Sequence, residues 1–251
     1  MAEETPYAQG TPCWVDLSTR DTSAARDFYG ALLGWDFIEG PPDTHGYTMA
    51  TVDDALVAGL FSPPDADAPA VWTVYLSVTD AEETAGRVTE HGGRLLTDVM
   101  DVPGEGRMWI AADPTGAVFG GWQPGRHRGA ELVNQPGAMV WHELASNDVA
   151  TAREFYSKVF GVRFGEAMSP TFDYRVFSAD GHDAGGSMPT DLPSHWRTYF
   201  GVRDTDAAVK TLTELGGEVL HGPDDSPYGR VTACRDPEGA AFVLLSRPVR
   251  V

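Results

Sequence analysis

Asp16 and Glu143 are the acidic side chains whose positions in the sequence best suit chemistry. They lie 127 residues apart, and each follows a tryptophan by two residues, in segments 14–17 and 141–144. Because alternate residues of a β-strand face the same side, each carboxylate would share a cleft wall with its tryptophan. Enclosure by aromatic rings raises the pKa of a carboxyl group, which suits a general acid or base. Each carboxylate could instead accept hydrogen bonds from a backbone amide or an arginine, and both interpretations stay open.

His142 directly precedes Glu143, and this His-Glu pair invites interpretation as a metal ligand or a catalytic base. Neighbouring residues of a strand point to opposite faces, however, so the two side chains should not enter one cavity. We therefore expect His142 to be a structural residue that is hydrogen-bonded near the helices. His45, His182 and His195 fall in loops or at loop edges, where we expect them to be solvated.

Aromatic side chains on predicted strands form the largest group of candidate ligand-binding residues. Apolar walls with a few polar groups are typical of small-molecule pockets, and aromatic rings stack on flat ligands. Some of these rings would fill the core instead. Arg197 could bind an anionic group of a ligand or form a surface ion pair. The aromatic candidates are Trp14, Tyr75, Trp109, Trp122, Trp141, Tyr174 and Tyr199.

A repeat organises the elements that must position these residues. Between segments 14–37 and 141–164, nine of the 24 aligned positions are identical. In each copy, a short strand is followed by an aspartate, Asp21 or Asp148, that predicts a helix N-cap. Apolar residues then recur at helical spacing until a glycine, which favours the left-handed conformation that ends a helix. Both helices should pack one face on a sheet.

Each half of the chain continues with the same order of elements. Three short extended segments follow the first helix, and a further strand leads to a second helix capped by Asp80 or Asp204. A double glycine ends that helix, and an Asp-Pro-x-Gly turn begins at Asp113 or Asp236. Each half thus holds two strand-helix-strand-strand-strand units. The predicted division is a first module at 1–123, a linker at 124–137 and a second module at 138–251.

The charge of the chain excludes several classes of partner. Its 37 acidic and 18 basic residues give a net charge of −19, which repels phosphate backbones and anionic lipids. We expect a small-molecule ligand, no nucleic acid, no membrane, and a monomer or homodimer. Residues 1–6 lack the basic and apolar parts of an export signal, so we expect a cytoplasmic location. Cys13 and Cys234 have no metal-type spacing, which favours inert core thiols.

These motifs together resemble those of the vicinal oxygen chelate superfamily, which includes glyoxalase I, bleomycin-resistance proteins and extradiol dioxygenases. The resemblance rests on the paired strand, cap, Phe-Tyr and glycine openings, the Val-x-Asp strands, the double glycines and the Asp-Pro-x-Gly turns, and covers residues 11–247. It implies an α+β fold of tandem βαβββ units that form two glyoxalase-like modules. Each module would have a curved mixed sheet enclosing a cleft, with helices outside.

The resemblance also implies where a metal should be bound. In metal-dependent members, ligands usually lie seven residues before a helix-capping aspartate and seven residues after the aspartate of the turn. Neither a histidine nor a carboxylate occupies any of these positions, and divalent metals need such donors. We therefore expect the usual metal site to be missing and predict no cofactor. The six positions hold Trp14, Thr73, Gly120, Trp141, Arg197 and Val243.

Three functions are consistent with these observations. The leading hypothesis is a metal-independent protein that binds a small aromatic or carbonyl-containing molecule in an aromatic-lined cleft. The first alternative is a metal-dependent lyase, isomerase or dioxygenase of the glyoxalase type whose unusual ligands would include Asp16, His142 and Glu143. The second is metal-free acid-base catalysis by Asp16 or Glu143.

Overall fold

The computed structural model of the chain describes residues 7–40, 46–65 and 67–247. His45 and residues 1–6, on which two of the sequence predictions depend, lie outside these ranges. Among the described residues, no helix is long and apolar enough to cross a membrane.

The described residues of the first half form nine strands and two helices. Helix α1 is Thr22–Leu33 and helix α2 is Ala81–Glu90. The strands are β1 Pro12–Ser18, β2 Asp36–Glu39, β3 Thr48–Val52, β4 Ala55–Phe61, β5 Val71–Ser77, β6 Arg94–Leu95, β7 Met100–Val102, β8 Gly106–Ala112 and β9 Val118–Pro124.

In the second half, the residues up to 247 repeat this order with eight strands and two helices. Helix α3 is Val149–Phe160 and helix α4 is Thr205–Glu214. The strands are β10 Met139–Ser146, β11 Arg163–Phe164, β12 Arg175–Ala179, β13 His182–Pro189, β14 His195–Gly201, β15 Glu218–Ser226, β16 Gly229–Arg235 and β17 Ala241–Ser246.

Each half contributes one mixed, curved sheet. The strand order is β2-β3-β4-β1-β5-β9-β8-β6 in the first sheet, where β7 also pairs with β8. The second sheet has the order β11-β12-β13-β10-β14-β17-β16-β15. In both, the opening strand is parallel to the fourth strand of its βαβββ unit. The α+β class and the two modules of tandem βαβββ units are thereby confirmed.

The helix ends follow the local signals of the sequence. The carboxylate of Asp21 accepts a hydrogen bond from the Ala24 amide, and that of Asp148 accepts one from Thr151. Gly34 and Gly161 end the two helices in the left-handed conformation, each with φ of 75°. These predictions succeed because a cap depends on only a few neighbouring residues.

The second helix of each half ends slightly before its double glycine. Helix α2 has His91 as its C-cap and α4 has Leu215. Gly92 and Gly216 follow, with φ of 88° and 86°, so the double glycine begins one residue after the C-cap. The difference is one residue and leaves the predicted order of elements unchanged.

The chain divides into two compact units, and each combines segments from both halves. Of the described residues, one unit contains those within 7–14, 74–129 and 142–196, and the other contains those within 15–73, 130–141 and 197–247. The first unit includes the contact between α2 and α3, and the second includes the contact between α1 and α4. The module boundaries expected at 123 and 138 stay a prediction.

A buried hydrogen-bonded chain of three side chains lies in the unit that contains α1. Trp72 Nε1 donates to the Tyr29 hydroxyl at 3.0 Å, and that hydroxyl donates to Asp236 Oδ2 at 3.0 Å. Burial and the nearby Asp236 carboxylate raise the pKa of Tyr29 well above its ordinary value, so it remains protonated. The aspartate of the Asp-Pro-x-Gly turn is therefore also the acceptor for a helix tyrosine.

The same arrangement occurs in the other compact unit. Trp196 Nε1 donates to the Tyr156 hydroxyl at 2.9 Å. Burial and the Asp113 carboxylate raise the pKa of Tyr156. Phe119 packs against Phe155, Tyr156 and Phe160 with ring centroids 5.4–6.1 Å apart. The Phe-Tyr pairs that define the repeat are thus core residues of the helix layer.

Candidate functional site

A carboxylate, a glycine and a tyrosine form a repeated group, which first occurs at Asp16, Gly59 and Tyr47. Asp16 on β1 is directly paired with Gly59 on the parallel strand β4. A Cβ atom at Gly59 would lie 1.9 Å from the hydroxyl oxygen of Tyr47. Gly59 therefore leaves room for the Tyr47 hydroxyl to lie across β4 on the face that Asp16 shares.

The second group consists of Glu143, Gly186 and Tyr174. Glu143 on β10 is paired with Gly186 on the parallel strand β13. A Cβ atom at Gly186 would lie 2.2 Å from the Tyr174 hydroxyl oxygen. All three positions follow those of the first group by 127 residues. The structure therefore places each predicted acid-base candidate next to a glycine, with a tyrosine hydroxyl lying over that glycine.

The carboxylates of these two groups are more deeply buried than the tyrosines. The carboxylates of Asp16 and Glu143 belong to residues only 4% and 6% exposed, whereas Tyr47 and Tyr174 are half-buried. An ionised carboxylate can only accept hydrogen bonds, but a tyrosine hydroxyl donates one and accepts others. Each group thus contains a hydrogen-bond acceptor and a donor close together. Tyr47 was not among the predicted site residues, although its place in the repeat was a usable signal.

Arg153 on α3 forms hydrogen bonds to the residue before Tyr174 and to the residue after Gly186. Its Nη1 and Nη2 atoms donate to the side chain and the backbone carbonyl of Asp173, at 2.6 and 2.7 Å. Its Nε atom donates to Ser187 Oγ at 2.8 Å. The two arginine partners of Asp173, Arg175 and Arg153, lower the pKa of its carboxyl group and keep it ionised. Sequence reasoning missed Arg153, because its partners lie 20 and 34 residues away.

The predicted aromatic residues of the first half are enclosed. Trp14, Tyr75 and Trp122 are at most 5% exposed, and Trp109 is fully buried. Trp109 Nε1 donates to the Ala81 carbonyl oxygen and its ring packs on Phe119, which favours the core interpretation for this residue. The ring of Tyr75 lies across Gly120, one of the six expected metal-ligand positions.

His127 fills the space beside two of these tryptophans. Its ring centroid lies 4.4 Å from that of Trp14 and 5.3 Å from that of Trp122. Trp122 Nε1 also donates to the His127 carbonyl oxygen. The residue lies in the segment predicted as a linker, yet it is only 8% exposed. Part of this connection is therefore a packed element that encloses the aromatic residues of the first half.

The candidate residues of the second half remain accessible to a ligand. Trp141, Tyr174, Arg197 and Tyr199 are all half-buried. Arg197 and Tyr199 alternate on β14, so their side chains share one face of that strand. Tyr199 is paired with Val243 on β17, where a metal ligand would be expected from the resemblance. A guanidinium beside a phenol suits a planar ligand that carries a negative or carbonyl oxygen.

His142 is buried in an apolar environment. It is 5% exposed, and burial lowers the pKa of its imidazole to about 3. Its Nδ1 atom has no hydrogen-bond partner in the described part of the chain, so the expected hydrogen bonding is not found at that atom. The equivalent residue of the first half is Val15. An imidazole that stays neutral down to low pH is a poor proton acceptor at neutral pH.

The other titratable candidates are accounted for by their surroundings. His182 is exposed, and the Nδ1 atom of half-buried His195 lies 2.8 Å from the Pro193 carbonyl oxygen. Cys13 and Cys234 are free and buried, as expected of core thiols. Burial raises the pKa of both thiols, to about 12 for Cys234.

The donor set does not suit the divalent metal that the resemblance implies. Trp14, Thr73, Gly120, Trp141, Arg197 and Val243 occupy the expected ligand positions. Within residues 7–40, 46–65 and 67–247, no group of three His, Cys, Asp or Glu side chains is arranged to hold a metal ion. Two indole rings, an aliphatic side chain, a glycine, an arginine and one neutral threonine hydroxyl cannot replace a set of imidazole, carboxylate or thiolate ligands.

Comparison with known proteins gives three consistent results. A family model described as "Glyoxalase/Bleomycin resistance protein/Dioxygenase superfamily" matches residues 13–120 and 138–244. A protein of Mycobacterium bovis named "Putative glyoxylase CFP32" is 38% identical over 98% of each chain. The "Anthracycline biosynthesis protein DnrV" of Streptomyces peucetius is 35% identical, over 96% of this chain and 94% of its own.

Solved structures share the fold at low sequence identity. The Mn(II)-bound glyoxalase from Novosphingobium aromaticivorans is 15% identical, with a TM-score of 0.67 over 95% of this chain and 83% of its own. The 2,3-dioxygenase LapB from Pseudomonas sp. KL28 is 14% identical, with a TM-score of 0.68 over 98% and 96%. At this identity the similarity concerns the fold alone.

Proposed function

The chain belongs to the glyoxalase/bleomycin resistance protein/dioxygenase superfamily, and from that premise we propose that it is a metal-independent binding protein for a small planar molecule. The ligand is aromatic and carries carbonyl groups. It binds through Trp141, Arg197 and Tyr199, which belong to one compact unit.

The difference in burial between the two halves carries this proposal. The aromatic candidates of the first half are at most 5% exposed, and their neighbour His127 fills the adjacent space. Those of the second half are only half-buried, so part of each side chain is exposed to a ligand. Stacking on aromatic rings and an ion pair or hydrogen bond to Arg197 would suit a flat carbonyl compound.

The name of one relative supports the same chemical class. DnrV is named as an anthracycline biosynthesis protein, and anthracyclines are planar aromatic molecules with carbonyl groups. The 35% identity and the nearly complete coverage of both chains support a related ligand class for this chain. The strongly negative charge favours neutral ligands or those whose anionic group is paired, as with Arg197. We further propose a cytoplasmic monomer or homodimer, since the two free cysteines suit a reducing compartment.

Calorimetric titration with a soluble sulfonated anthraquinone tests the proposal. We expect saturable binding to the wild-type protein and at least tenfold weaker binding by Trp141→Leu and Arg197→Gln. Tyr228→Leu is the control, because this aromatic residue of the same half is 58% exposed. Binding that is undetectable in the wild type, or unaffected by both site variants, would contradict the proposal.

Acid-base catalysis by a carboxylate is the second candidate function. Glu143 is 6% exposed and lies beside Tyr174, so a bound carbonyl compound could exchange a proton with this pair. Glu143→Gln would then abolish turnover of a bound carbonyl compound while leaving its affinity nearly unchanged. Deuterium exchange at carbons next to the carbonyl group, followed by NMR, detects such proton transfer even when the product is unidentified.

A further inference from the structure

We infer that the ligand extends from Tyr199 across β17 to β16, where Ala233 and Val231 leave room for fused rings. Val243, on the strand between them, positions the Tyr199 ring. All four residues belong to one compact unit. The inference rests on the proposed function and narrows its ligand class to carbonyl compounds with several fused rings.

A row of directly paired residues runs across the neighbouring strands β14, β17 and β16. Tyr199 on β14 is paired with Val243 on β17, and Val243 is paired with Ala233 on β16. Directly paired residues share one face of a sheet, and so do residues two apart on a strand. Ala233 and Val231 therefore lie on the face that carries Tyr199.

The two residues of β16 form an apolar wall that is partly exposed. Ala233 and Val231 are half-buried, whereas Val243 is only 4% exposed. Their partners on β15, His221 and Asp224, are polar, with side chains 84% and 59% exposed. The apolar wall thus covers β17 and β16 and ends at β15. Two strand spacings amount to about 10 Å, which suits the length of about three fused rings.

Larger side chains occupy the corresponding wall of the first half. Ile110 and Met108 are the counterparts of Ala233 and Val231, because β8 pairs with β9 in the same register in which β16 pairs with β17. Isoleucine is larger than alanine, and methionine is larger than valine. The second half therefore leaves space above β16 that side chains fill in the first half.

Val243 keeps the Tyr199 ring from lying flat on the strand. In the first half, a Cβ atom at Gly120 would lie 2.2 Å from the Tyr75 ring, so that ring lies across the glycine. The Val243 side chain lies at the corresponding place and excludes this orientation for Tyr199, since carbon atoms do not approach so closely. Tyr75 is 4% exposed, whereas Tyr199 is half-buried. The valine therefore accounts for the partial exposure of the ring, which stacking on a ligand requires.

Two aromatic sulfonates of different size test how far the site extends. Sulfonated anthraquinone has three fused rings and sulfonated acetophenone has one, and both carry carbonyl groups. We expect calorimetric titration of the wild-type protein to show about thirtyfold tighter binding of the anthraquinone, because it buries more apolar area. Ala233→Ile, which introduces the first-half residue, should weaken anthraquinone binding by about tenfold and leave acetophenone binding unchanged.

Val231→Met is a second variant of this kind and should act in the same direction. Both substitutions introduce the residue that the first half has at the same register, where the strand pairing accommodates it. Ala207→Ile is the control, because Ala207 is exposed on α4 in the same compact unit. It should change neither affinity. Circular dichroism verifies that each variant is folded.

Val243→Gly tests the positioning of Tyr199. Without a Cβ atom at position 243, the Tyr199 ring can lie across β17 as Tyr75 lies across Gly120, so both sulfonates should bind about fivefold more weakly. Val243→Ala also removes buried methyl groups but keeps the Cβ atom, and it should retain the wild-type affinities. An equal loss of affinity in both variants contradicts the positioning role.

The outcomes separate this inference from the proposed function. The inference alone is overturned if the single-ring compound binds as tightly as the anthraquinone. It is also overturned if Ala233→Ile and Val231→Met leave anthraquinone binding unchanged or weaken both ligands equally. The effects of the Trp141 and Arg197 variants then still decide the proposed function. If neither sulfonate binds to the wild type, the proposed function fails and the inference fails with it.

Discussion

The hydroxyl of Tyr29 donates a hydrogen bond to Asp236 Oδ2 at 3.0 Å, although 207 residues separate the two along the chain. Tyr29 belongs to the first helix and Asp236 to the last turn, and both are buried. The bond joins the two ends of the repeat inside one compact unit. The Phe-Tyr and Asp-Pro-x-Gly motifs, which serve as local signals in the sequence, therefore also form a long-range hydrogen bond.

Tyr29→Phe should destabilise the fold. The substitution keeps the ring but leaves Asp236 without its phenol donor and Trp72 Nε1 without its acceptor. Leaving a buried polar group unsatisfied costs about 1–3 kcal/mol, so for the two groups together we expect the free energy of unfolding to fall by about 2–6 kcal/mol. Urea denaturation measures the change. Tyr228→Phe, at a residue 58% exposed, is the control and should have no effect.

The two halves should not fold when they are produced separately. Each compact unit takes segments from both halves, and the Tyr29 and Asp236 partners lie in different halves. We expect fragments 1–129 and 130–251 to show no cooperative urea transition alone and to regain one when they are mixed. A cooperative transition of either isolated fragment would contradict this prediction.

His142→Val should stabilise the protein and reduce its sensitivity to acid. The folded pKa of about 3 lies below the ordinary value of 6.5, so the unfolded state binds the proton more tightly. The free energy of unfolding is therefore unaffected by His142 protonation above pH 6.5. It decreases as the pH falls from 6.5 towards 3, by up to roughly 4 kcal/mol.

Valine occupies the equivalent position in the first half, at Val15, and suits an apolar environment. We expect His142→Val to gain about 1 kcal/mol at neutral pH, since an imidazole nitrogen without a partner is removed. Urea denaturation across this pH range should show a flatter profile than that of the wild type. Val15→His is the reciprocal variant and should steepen it. Parallel profiles for wild type and His142→Val would refute the assignment.

Ligand binding should not depend on a divalent metal. Protein treated with a chelator and then dialysed should bind the sulfonated anthraquinone with unchanged affinity, because the residues at the six family positions are not suitable ligands. Metal analysis of protein purified without chelator accompanies the titration. Binding lost on chelation and restored by manganese, zinc, nickel or iron would instead favour the metal-dependent enzyme of the glyoxalase type.

The sequence by itself determined the repeat, the order of the elements and the ends of the helices. Asp21, Asp148, Gly34 and Gly161 could be assigned because a cap or a left-handed turn depends on residues within a few positions. The unsuitable side chains at the metal positions could likewise be identified from spacing, once the resemblance supplied the positions.

Only the tertiary structure decided which candidate residues are accessible and which polar partners they meet. Nothing near Trp14 in the sequence indicates that His127 encloses it, and nothing near Tyr174 indicates that Arg153 holds the preceding residue. These relationships depend on strand pairing and helix packing between distant segments, whereas alternation along a strand specifies only a face. A face lined with aromatic rings can be either core or cleft, and the packing of the other segments decides which.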